Sequence, residues 1–296
     1  MTVVGQPFLQ AGDRIIDLSI PRIMGILNTT PDSFSDGGHL RAGDDGMGGF
    51  RVSVDRALAV AEAMVAAGAA IVDVGGESTR PGAADVSEQE EIDRVVPVVA
   101  AIRERLDVLI SVDTSTPRVM SESLAAGAGL INDVRALAVP GALEAVAAGS
   151  AAVCLMHMRG QPRTMQQQDV AYADVVDEVF RFLQQRKADC EAAGITADRI
   201  VVDPGFGFGK TVGHNYQLLA GLARFHALQA PLLIGLSRKS MIGHVVERPV
   251  TERLAGSLAA TVYALQAGAS IIRTHDVAAT RDVVRIHGAV TGAQSL

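Results

Sequence analysis

Residues 66–74 read AAGAAIVDV, and residues 267–273 read AGASIIR. In both stretches a helical pattern ends in Ala-Gly and an apolar run follows at once. The same pair returns at 126–127, 148–149 and 193–194. Glycine at this place suits the left-handed conformation that closes a helix. Each pair therefore predicts a helix end that leads into a strand.

The chain contains eight apolar runs of strand length, which helical patterns of about ten or more residues separate. Most runs are continuous, as is typical of parallel strands covered on both faces. Eight such units predict a single (β/α)8 TIM barrel of the α/β class. An open doubly wound sheet shares this alternation and is the alternative. The predicted strands are residues 23–27, 70–74, 108–112, 129–132, 151–156, 200–202, 232–235 and 270–273.

Ahead of the first of these strands, residues 8–18 contain two short apolar stretches around Gly12 and Asp13. This pattern predicts a short N-terminal β-hairpin across the floor of the barrel. We expect residues 1–20 to be this hairpin segment and residues 21–296 to be the barrel, in one domain overall. Single barrels of this kind commonly reach ~250 residues or more.

The composition argues against several functional classes, nucleic-acid-binding and membrane proteins among them. Hydrophobic residues make up 48% of the chain and the formal net charge is -7, which argues against a sequence-independent grip on nucleic acid. The most apolar stretch, residues 254–272, contains polar residues and Gly268, so it predicts a buried helix and a strand and no membrane partner. Cys154 and Cys190 lack CxxC spacing. With no basic-then-apolar signal pattern near Met1, we expect a reducing, cytoplasmic location.

Polar residues follow the predicted strands, where barrel enzymes carry their chemistry. Such residues often only cap the next helix. At Asp113, however, Thr116 before Pro117 predicts the cap, so Asp113 is predicted to be functional. The strand-end set is Asn28, residues 77–80, Asp113, Asn132, Asp133, His157, Arg159, Asp203, residues 237–239, Arg273, His275 and Asp276.

Common nucleotide and zinc motifs do not fit. Gly205, Gly207, Gly209 and Lys210 resemble a phosphate loop, but Pro204 stands where the Walker spacing requires glycine. Lys210 also occupies the place of the third glycine of the dinucleotide pattern. The seven histidines lack the spacing of zinc ligands.

Taken together, eight strand-end segments resemble the dihydropteroate synthase family of pterin-binding barrels along nearly the whole chain. Each string alone is a weak signal, but all eight occur in the family's order. The segments are GILNTTPDSFSDGG (25–38), DVGGESTRPG (73–82), SVDTSTP (111–117), IND (131–133), LMHM (155–158), DPGFGFGK (203–210), SRKSMIG (237–243) and IIRTHDV (271–277).

The resemblance implies an enzyme of folate biosynthesis. Its substrates would be 6-hydroxymethyl-7,8-dihydropterin pyrophosphate and para-aminobenzoate, and its products 7,8-dihydropteroate and pyrophosphate. A pterin edge carries several donors and acceptors, so its pocket needs carboxylates, an amide and a cation in fixed positions. The implied pterin residues are Asp113, Asn132, Val134, Met156, Asp203 and Lys239.

The remaining implied roles concern the pyrophosphate, the metal and the second substrate. Asn28 is implied as an oxygen ligand of Mg²⁺, and the resemblance also implies a homodimer. Catalysis is implied for Asp113, Lys239, Arg273 and His275, and pyrophosphate binding for Asn28, Thr79, Arg238, Arg273 and His275. Para-aminobenzoate is expected at Phe34, Asp36, Thr79, Arg80, Pro81, Phe208 and Ser240.

Two other functions stay open at this point. A pterin-dependent methyltransferase would bind a related ring in a similar barrel, and a non-catalytic paralogue would bind pterin without turnover. The chain departs from the family pattern in a longer Gly/Asp-rich segment at 39–50, and in Thr29 and Thr274, where valine is more usual. Each threonine adds a hydroxyl that needs a partner.

Overall fold

The computed structural model describes residues 8–30, 52–77, 86–160 and 171–293. Within these ranges the strands are β1 (Phe8–Ala11), β2 (Arg14–Asp17), β3 (Arg22–Asn28), β4 (Ile71–Gly75), β5 (Leu109–Asp113), β6 (Leu130–Asp133), β7 (Ala152–Met156), β8 (Ile200–Asp203), β9 (Leu233–Gly235) and β10 (Ile271–Thr274). The α-helices are α1 (Val54–Ala67), α2 (Glu88–Arg105), α3 (Pro117–Ala125), α4 (Ala142–Ala147), α5 (Val175–Ala192), α6 (Val212–Ala220), α7 (Ser240–Val246), α8 (Leu254–Gln266) and α9 (Val277–Ala293).

Strands β3 to β10 form one parallel sheet in the order β8-β7-β6-β5-β4-β3-β10-β9. Its two edges meet through a bridge between Val202 and Leu232, and the Val202 N–H donates to the Pro231 carbonyl at 3.0 Å. The sheet therefore closes into the predicted (β/α)8 barrel, and the open doubly wound alternative is wrong. Each predicted strand is found within one residue at either end.

The N-terminal hairpin closes the floor of this barrel, as predicted. β1 and β2 pair antiparallel, and Leu9 and Ala11 are fully buried against inward-facing residues of the barrel strands. The Gly12 N–H donates to the Ser150 carbonyl at 3.0 Å. At Gly129 a side chain would come within 2.9 Å of the Ala11 carbonyl oxygen, so the hairpin needs glycine there.

The barrel interior changes from apolar to polar along each strand. Since side chains alternate with a period of two, residues two apart face the same side. One interior layer is apolar and packs on the hairpin; it comprises Met24, Ile71, Leu109, Leu130, Ala152, Val201, Leu233 and Ile271. Two residues further along, five of these strands carry Asp73, Ser111, Asn132, Asp203 and Arg273. The floor is therefore dry, and polar groups begin above it.

The alternate side chains of the strands face the helices. Val72, Val74, Ile110 and Val112 belong to a second, larger apolar cluster that includes the buried face of α2. This cover on both faces explains the continuous apolar runs in the sequence. None of the helices in the described ranges has the length and apolarity needed to cross a membrane.

Helix ends follow the glycine prediction at four of five places. Gly68, Gly127, Gly194 and Gly268 have φ of 108, 111, 94 and 88°. At Gly149 the prediction is wrong, because the backbone there is not left-handed. The six-residue α4 needs no such reversal, since the chain runs on directly to Ser150, whose carbonyl holds the hairpin.

Candidate active site

Three predicted site residues share one row at the carboxyl ends of neighbouring strands. The strand register places Asn28 beside Gly75, Gly75 beside Asp113, and Asp113 beside Asn132. A side chain at Gly75 would meet Asp113 Cβ at 3.7 Å and Asn28 Oδ1 at 3.8 Å. Glycine thus leaves open space between an amide oxygen and a carboxylate at the mouth of the barrel.

A single guanidinium links this row to the barrel interior. Arg273 Nε donates to Asp73 Oδ2 at 2.6 Å, and its NH2 donates to Asp113 Oδ2 at 2.8 Å. The fully buried Asp73 also accepts from Ser111 Oγ at 2.6 Å and from Asn132 Nδ2 at 3.1 Å. Asp73 therefore connects Arg273, a predicted pyrophosphate residue, to Asn132, a predicted pterin residue.

The charges in this network shift one another's pKa values. Burial raises the pKa of the Asp113 carboxyl, and the nearby Asp73 raises it further, whereas Arg273 opposes both. Burial disfavours the charged Arg273, but the carboxylates of Asp73 and Asp113 outweigh it and raise its pKa. The guanidinium thus stays charged in a site where water is scarce.

A second charged pair lies on the β8 and β9 side of the mouth. Lys239 Nζ donates to the Phe206 carbonyl and lies 4.8 Å from the centre of the Phe208 ring. Burial lowers the pKa of Lys239 to about 8, and Asp203 opposes that shift. Burial raises the pKa of Asp203, which accepts from the Gly205 N–H at 2.7 Å. Lysine, carboxylate and aromatic ring are thus brought together as predicted.

The two residues predicted to line the pterin pocket are buried but stand in different places. Met156 is 4% exposed and pairs with Asp203 in the strand register. Val134 follows β6 and is 6% exposed; it lines a depression together with Met158 and Phe182. Met156 is therefore the one that lies beside a predicted pterin carboxylate.

His275 and Arg238 occupy the predicted phosphate side. Ser237 Oγ accepts from the His275 backbone N–H at 3.2 Å and lies 3.0 Å from its Nδ1. Its proton is free to point at Nδ1, which favours the tautomer with the proton on Nε2. Arg238 pairs with Asp276 through two contacts, at 3.0 and 2.5 Å. This ion pair was not predicted from the sequence.

The backbone of Arg238 is left-handed, with φ of 56°. Such a conformation costs about 1–3 kcal/mol in a residue other than glycine and persists only where the surroundings impose it. Here Ser257 Oγ accepts from the Arg238 N–H at 2.9 Å, and Arg253 donates to its carbonyl at 3.1 Å. The start of α8 thus holds the segment that follows β9 in place.

The predicted capping role of Thr116 is wrong in one respect. Thr116 is the N-cap of α3, but its side chain makes no capping hydrogen bond. Its hydroxyl donates instead to the buried Glu91 at 2.9 Å. Proline in the first turn has no N–H to satisfy, which lowers the need for a cap. Asp113 remains free of capping, as predicted, and engages Arg273.

Several predicted residues stand outside these contacts. Ser240 is exposed at the first turn of α7. The hydroxyls of Thr29 and Thr274 both find partners: Thr29 donates to the Gly75 carbonyl at 2.9 Å, and Thr274 accepts from the Asp276 N–H at 3.0 Å. Phe34, Asp36, Thr79, Arg80, Pro81 and the segment 39–50 lie outside the described residues.

Sequence reasoning assigned no role to Asp73, Lys210 or His157. Asp73 interrupts an apolar strand, IVDVG, with a charge that must be paired if it is buried, and that signal was available. Lys210 and His157 are buried against each other, with Lys210 Nζ 2.9 Å from His157 Nδ1. No sequence spacing connects these two positions.

A closed barrel with paired carboxylates, an amide and cations at its mouth fits a polar heterocycle that bears phosphates. Residues 24–275 match the profile of the family described as pterin binding enzyme. The chain therefore belongs to the pterin binding enzymes. Within them it belongs with the dihydropteroate synthases, since it is 52% identical to that of Haemophilus influenzae over 96% of this chain and 99% of the relative.

Solved structures agree with this placement. The Yersinia pestis dihydropteroate synthase with a sulfonamide drug complex superposes with a TM-score of 0.89 at 51% identity, covering 96% of this chain and 99% of that one. The Burkholderia cenocepacia dihydropteroate synthase complexed with 7,8-dihydropteroate gives a TM-score of 0.84 at 44% identity, covering 97% and 98%. The predicted family, fold and enzymatic class are confirmed.

Proposed function

We propose that this enzyme condenses 6-hydroxymethyl-7,8-dihydropterin pyrophosphate with para-aminobenzoate to give 7,8-dihydropteroate and pyrophosphate in folate biosynthesis. The observation that carries the proposal is the Asp73, Arg273 and Asp113 network at the barrel mouth. Asp113, which would bind the pterin, lies directly beside Arg273, which would bind the leaving group. The relative from Burkholderia cenocepacia is solved with 7,8-dihydropteroate, the product of this reaction.

Pterin recognition would use two sides of the mouth. Asp113 and Asn132 offer a carboxylate and an amide on neighbouring strands, and Asp203 offers a second carboxylate across the barrel. Lys239 would add the cation, and the charge of Asp203 favours its protonated form. A ring that left any of these groups unpaired would bind poorly, because an unsatisfied buried polar group costs ~1–3 kcal/mol.

The chemical step breaks the bond between the pterin methylene carbon and the pyrophosphate oxygen. The amine of para-aminobenzoate supplies the electron pair for the new C–N bond and loses a proton, and pyrophosphate leaves with the electrons of the broken bond. Positive charge develops on the dihydropterin as the bond breaks. Asp113 is placed to stabilise that charge more in the transition state than in the ground state.

Departure of the pyrophosphate would be assisted by Arg273, His275 and Arg238. Arg238 would bind a phosphate oxygen with the same guanidinium that contacts Asp276. His275 would donate from Nε2, since Ser237 occupies Nδ1. This arrangement agrees with the phosphate position usual near the seventh and eighth loops of such barrels.

Mg²⁺ is the proposed cofactor, held by Asn28 and the substrate phosphates. Within the described ranges, His, Cys, Asp and Glu form no cluster of three or more that could hold a metal ion. One protein oxygen suits Mg²⁺, which keeps several waters and commonly binds through substrate phosphates. Asn28 Oδ1 lies at the open space beside Gly75 and so fits that role. When bound, the ion would neutralise phosphate charge.

Para-aminobenzoate would bind beside the Lys239 and Phe208 pair, near Ser240 at the start of α7. The half-buried Phe208 ring offers an apolar face for the benzene ring, next to the cation. Its further contacts from Phe34, Asp36, Thr79, Arg80 and Pro81 remain predictions from the resemblance. Phe208 is thus the residue of this set whose position supports the proposal.

A homodimer is proposed through the surface of α6, α7 and α8. Val245, Val246 and Tyr263 on that surface are 60%, 39% and 65% exposed and border one apolar depression. Contiguous exposed apolar surface commonly marks an interface. Tyr263→Glu should raise the monomer fraction in sedimentation, whereas Ile286→Glu on α9 should not.

A cytoplasmic location is proposed for the enzyme. Cys154 and Cys190 are both buried free thiols, and burial raises the pKa of both. Proteins of reducing compartments commonly keep their cysteines in this state.

Pyrophosphate release by the purified protein tests the main proposal. Dihydropterin pyrophosphate, para-aminobenzoate and Mg²⁺ would be supplied together and with each omitted in turn. Release that needs all three, with an equal amount of dihydropteroate formed, supports the synthase. Tight pterin binding without release would indicate the non-catalytic paralogue. Methyl transfer from a methylated pterin would indicate the methyltransferase.

A further inference from the structure

Lys210 is a buried lysine in a cage of acceptors, and burial lowers its pKa to about 7. Its side chain is held by the Gly205 carbonyl at 2.8 Å, the Phe208 carbonyl at 3.1 Å and the His157 carbonyl at 3.3 Å, and its Nζ also lies 2.9 Å from His157 Nδ1. Only 9% of Lys210 is exposed. An ammonium has three protons, and here four acceptors surround it, so its donors are all taken up within the protein.

The cage depends on a loop that only glycine can form. Gly205, Gly207 and Gly209 all have positive φ, of 72, 82 and 60°. A side chain at Gly205 would come within 1.9 Å of the His157 carbonyl oxygen, and one at Gly209 within 2.1 Å of the Arg159 carbonyl oxygen. The loop after β8 is therefore pressed against the chain that follows β7, and Lys210 lies in the seam between them.

His157 is the neutral partner in this seam. Burial lowers the pKa of His157 to about 2, and the charge of Lys210 lowers it further. A neutral ring can accept at Nδ1 from the ammonium with its own proton on Nε2. The ring is also fixed by an edge-to-face contact with Phe182, at 4.9 Å between ring centres.

The same loop presents two groups to Lys239. The loop begins at Asp203, whose charge opposes the loss of the Lys239 proton, and its Phe206 carbonyl accepts from Lys239. The Cδ of Lys239 would be 3.3 Å from a side chain at Gly207. The loop therefore forms the wall along which the Lys239 side chain runs.

We propose that Lys210 is a positioning residue of the pterin site, which locks the loop 203–210 onto the end of β7 so that the Phe206 carbonyl holds Lys239 and Asp203 keeps its place at the mouth. The inference rests on the proposed function, because Asp203 and Lys239 bind pterin there. Lys210 itself touches no substrate.

Lys210→Met tests this role, because methionine keeps a long unbranched side chain but removes the charge and the donors. We expect kcat/KM for the pterin pyrophosphate to fall on the order of 10- to 100-fold, since a displacement near 1 Å has that effect. The affinity for 6-hydroxymethylpterin should fall by a similar factor in calorimetry. Pyrophosphate with Mg²⁺ should bind unchanged, because Arg273 is held by Asp73 and Asp113 instead.

The matched control is Lys187→Met on α5, where the lysine side chain is 15% exposed and pairs with Glu191 at 2.6 Å. It should leave both affinities and the kinetics unchanged. A further readout is the alkaline limb of the pH profile of kcat/KM. In Lys210→Met the loop would no longer hold Asp203 in place, so the charge that opposes the loss of the Lys239 proton would be weakened and that limb should move to lower pH, whereas a loss of stability alone would leave it in place.

His157 supplies a second pair of variants should Lys210→Met fail to fold. Asparagine can place an acceptor near the position of Nδ1, but leucine cannot, so His157→Asn should retain more pterin affinity than His157→Leu. Equal affinities in the two would overturn the proposal. So would a folded Lys210→Met enzyme that matches Lys187→Met in pterin affinity and pH profile. Wild-type enzyme that releases no pyrophosphate would instead reject the proposed function.

Discussion

Asp73→Asn should destabilise the enzyme and slow it, although no substrate atom need touch Asp73. The substitution keeps the shape of the side chain. An asparagine can turn its carbonyl to Arg273 and Asn132 and its amide to the Ser111 hydroxyl, which also accepts hydrogen bonds. The change therefore removes one negative charge and little else.

The magnitude follows from burial. Asp73 has a fully buried side chain, and its partner Arg273 is 21% exposed, with 2.6 Å between them. A hydrogen bond to a charged group contributes ~1.5–3 kcal/mol, and breaking a buried ion pair costs ~3–5 kcal/mol. Because Arg273 keeps Asp113 as a partner, we expect a loss of ~2–3 kcal/mol in the free energy of unfolding.

The control is an ion pair of equal length on the surface. Arg14 and Asp107 are also 2.6 Å apart, but the Asp107 side chain is 94% exposed. Asp107→Asn should cost less than ~1 kcal/mol. Urea unfolding followed by two probes would measure both variants, with the slope m required to stay equal.

Kinetics would complete the test. In Asp73→Asn, Arg273 loses one of the two carboxylates that orient it, so kcat/KM for the pterin pyrophosphate should fall on the order of 10²-fold. Asp107→Asn should match the wild type. If Asp73→Asn retained wild-type kcat/KM and unfolded within ~1 kcal/mol of Asp107→Asn, the burial argument would be refuted.

Four further results are expected. Asp113→Asn should lower turnover far more than the affinity for a pterin without phosphates, measured by steady-state kinetics and calorimetry; equal losses would contradict its role toward the developing charge. Arg273→Ala should weaken pyrophosphate binding in calorimetry far more than the binding of a phosphate-free pterin, which would be affected only through the lost contact to Asp113; an equal loss of both would remove Arg273 from the phosphate site. Lys239 is protonated below its pKa of about 8, so kcat/KM should decline above about pH 8. Lys239→Arg should move this decline to higher pH, because a guanidinium keeps its proton; a decline at the same pH would assign the titration to another group. Gly205→Ala should yield little soluble enzyme in an expression assay, because its new methyl would lie 1.9 Å from the His157 carbonyl oxygen; a normal yield would show that the loop can shift.

Much of the fold could be predicted because the same local pattern of strand and helix repeats eight times along the chain. The apolar runs are continuous where strands are covered on both faces, and four Ala-Gly pairs end helices with a left-handed glycine. Gly149 does not follow this rule: α4 is short, and the residue after Gly149, Ser150, accepts a hydrogen bond from Gly12 of the hairpin. That contact joins residues far apart in the chain, and no local pattern records it.

The candidate site could be predicted where residues follow strands directly. Asp113, Asn132 and Asp203 each end or nearly end a strand, and the barrel brings such positions to one mouth. Asp73 lies two residues before the end of β4, so a search limited to residues that follow the strands did not include it. Lys210 was considered as part of a nucleotide motif and of the segment 203–210, but not for a role of its own, and most of its acceptors are backbone carbonyls that the sequence does not reveal.

The ion pairs of the site arginines were not predicted from the sequence, and they affect turnover. Arg273 and Arg238 were predicted as cations available to pyrophosphate, but Arg273 is held by Asp73 and Asp113, and Arg238 by Asp276. A phosphate that binds here must share each guanidinium with a carboxylate, which weakens its hold in the ground state. Binding the leaving group only moderately favours both catalysis and product release, because interactions that are equally strong in the ground state do not raise kcat. In the proposed phosphate site, the carboxylates that restrain these arginines would therefore be as important as the arginines themselves.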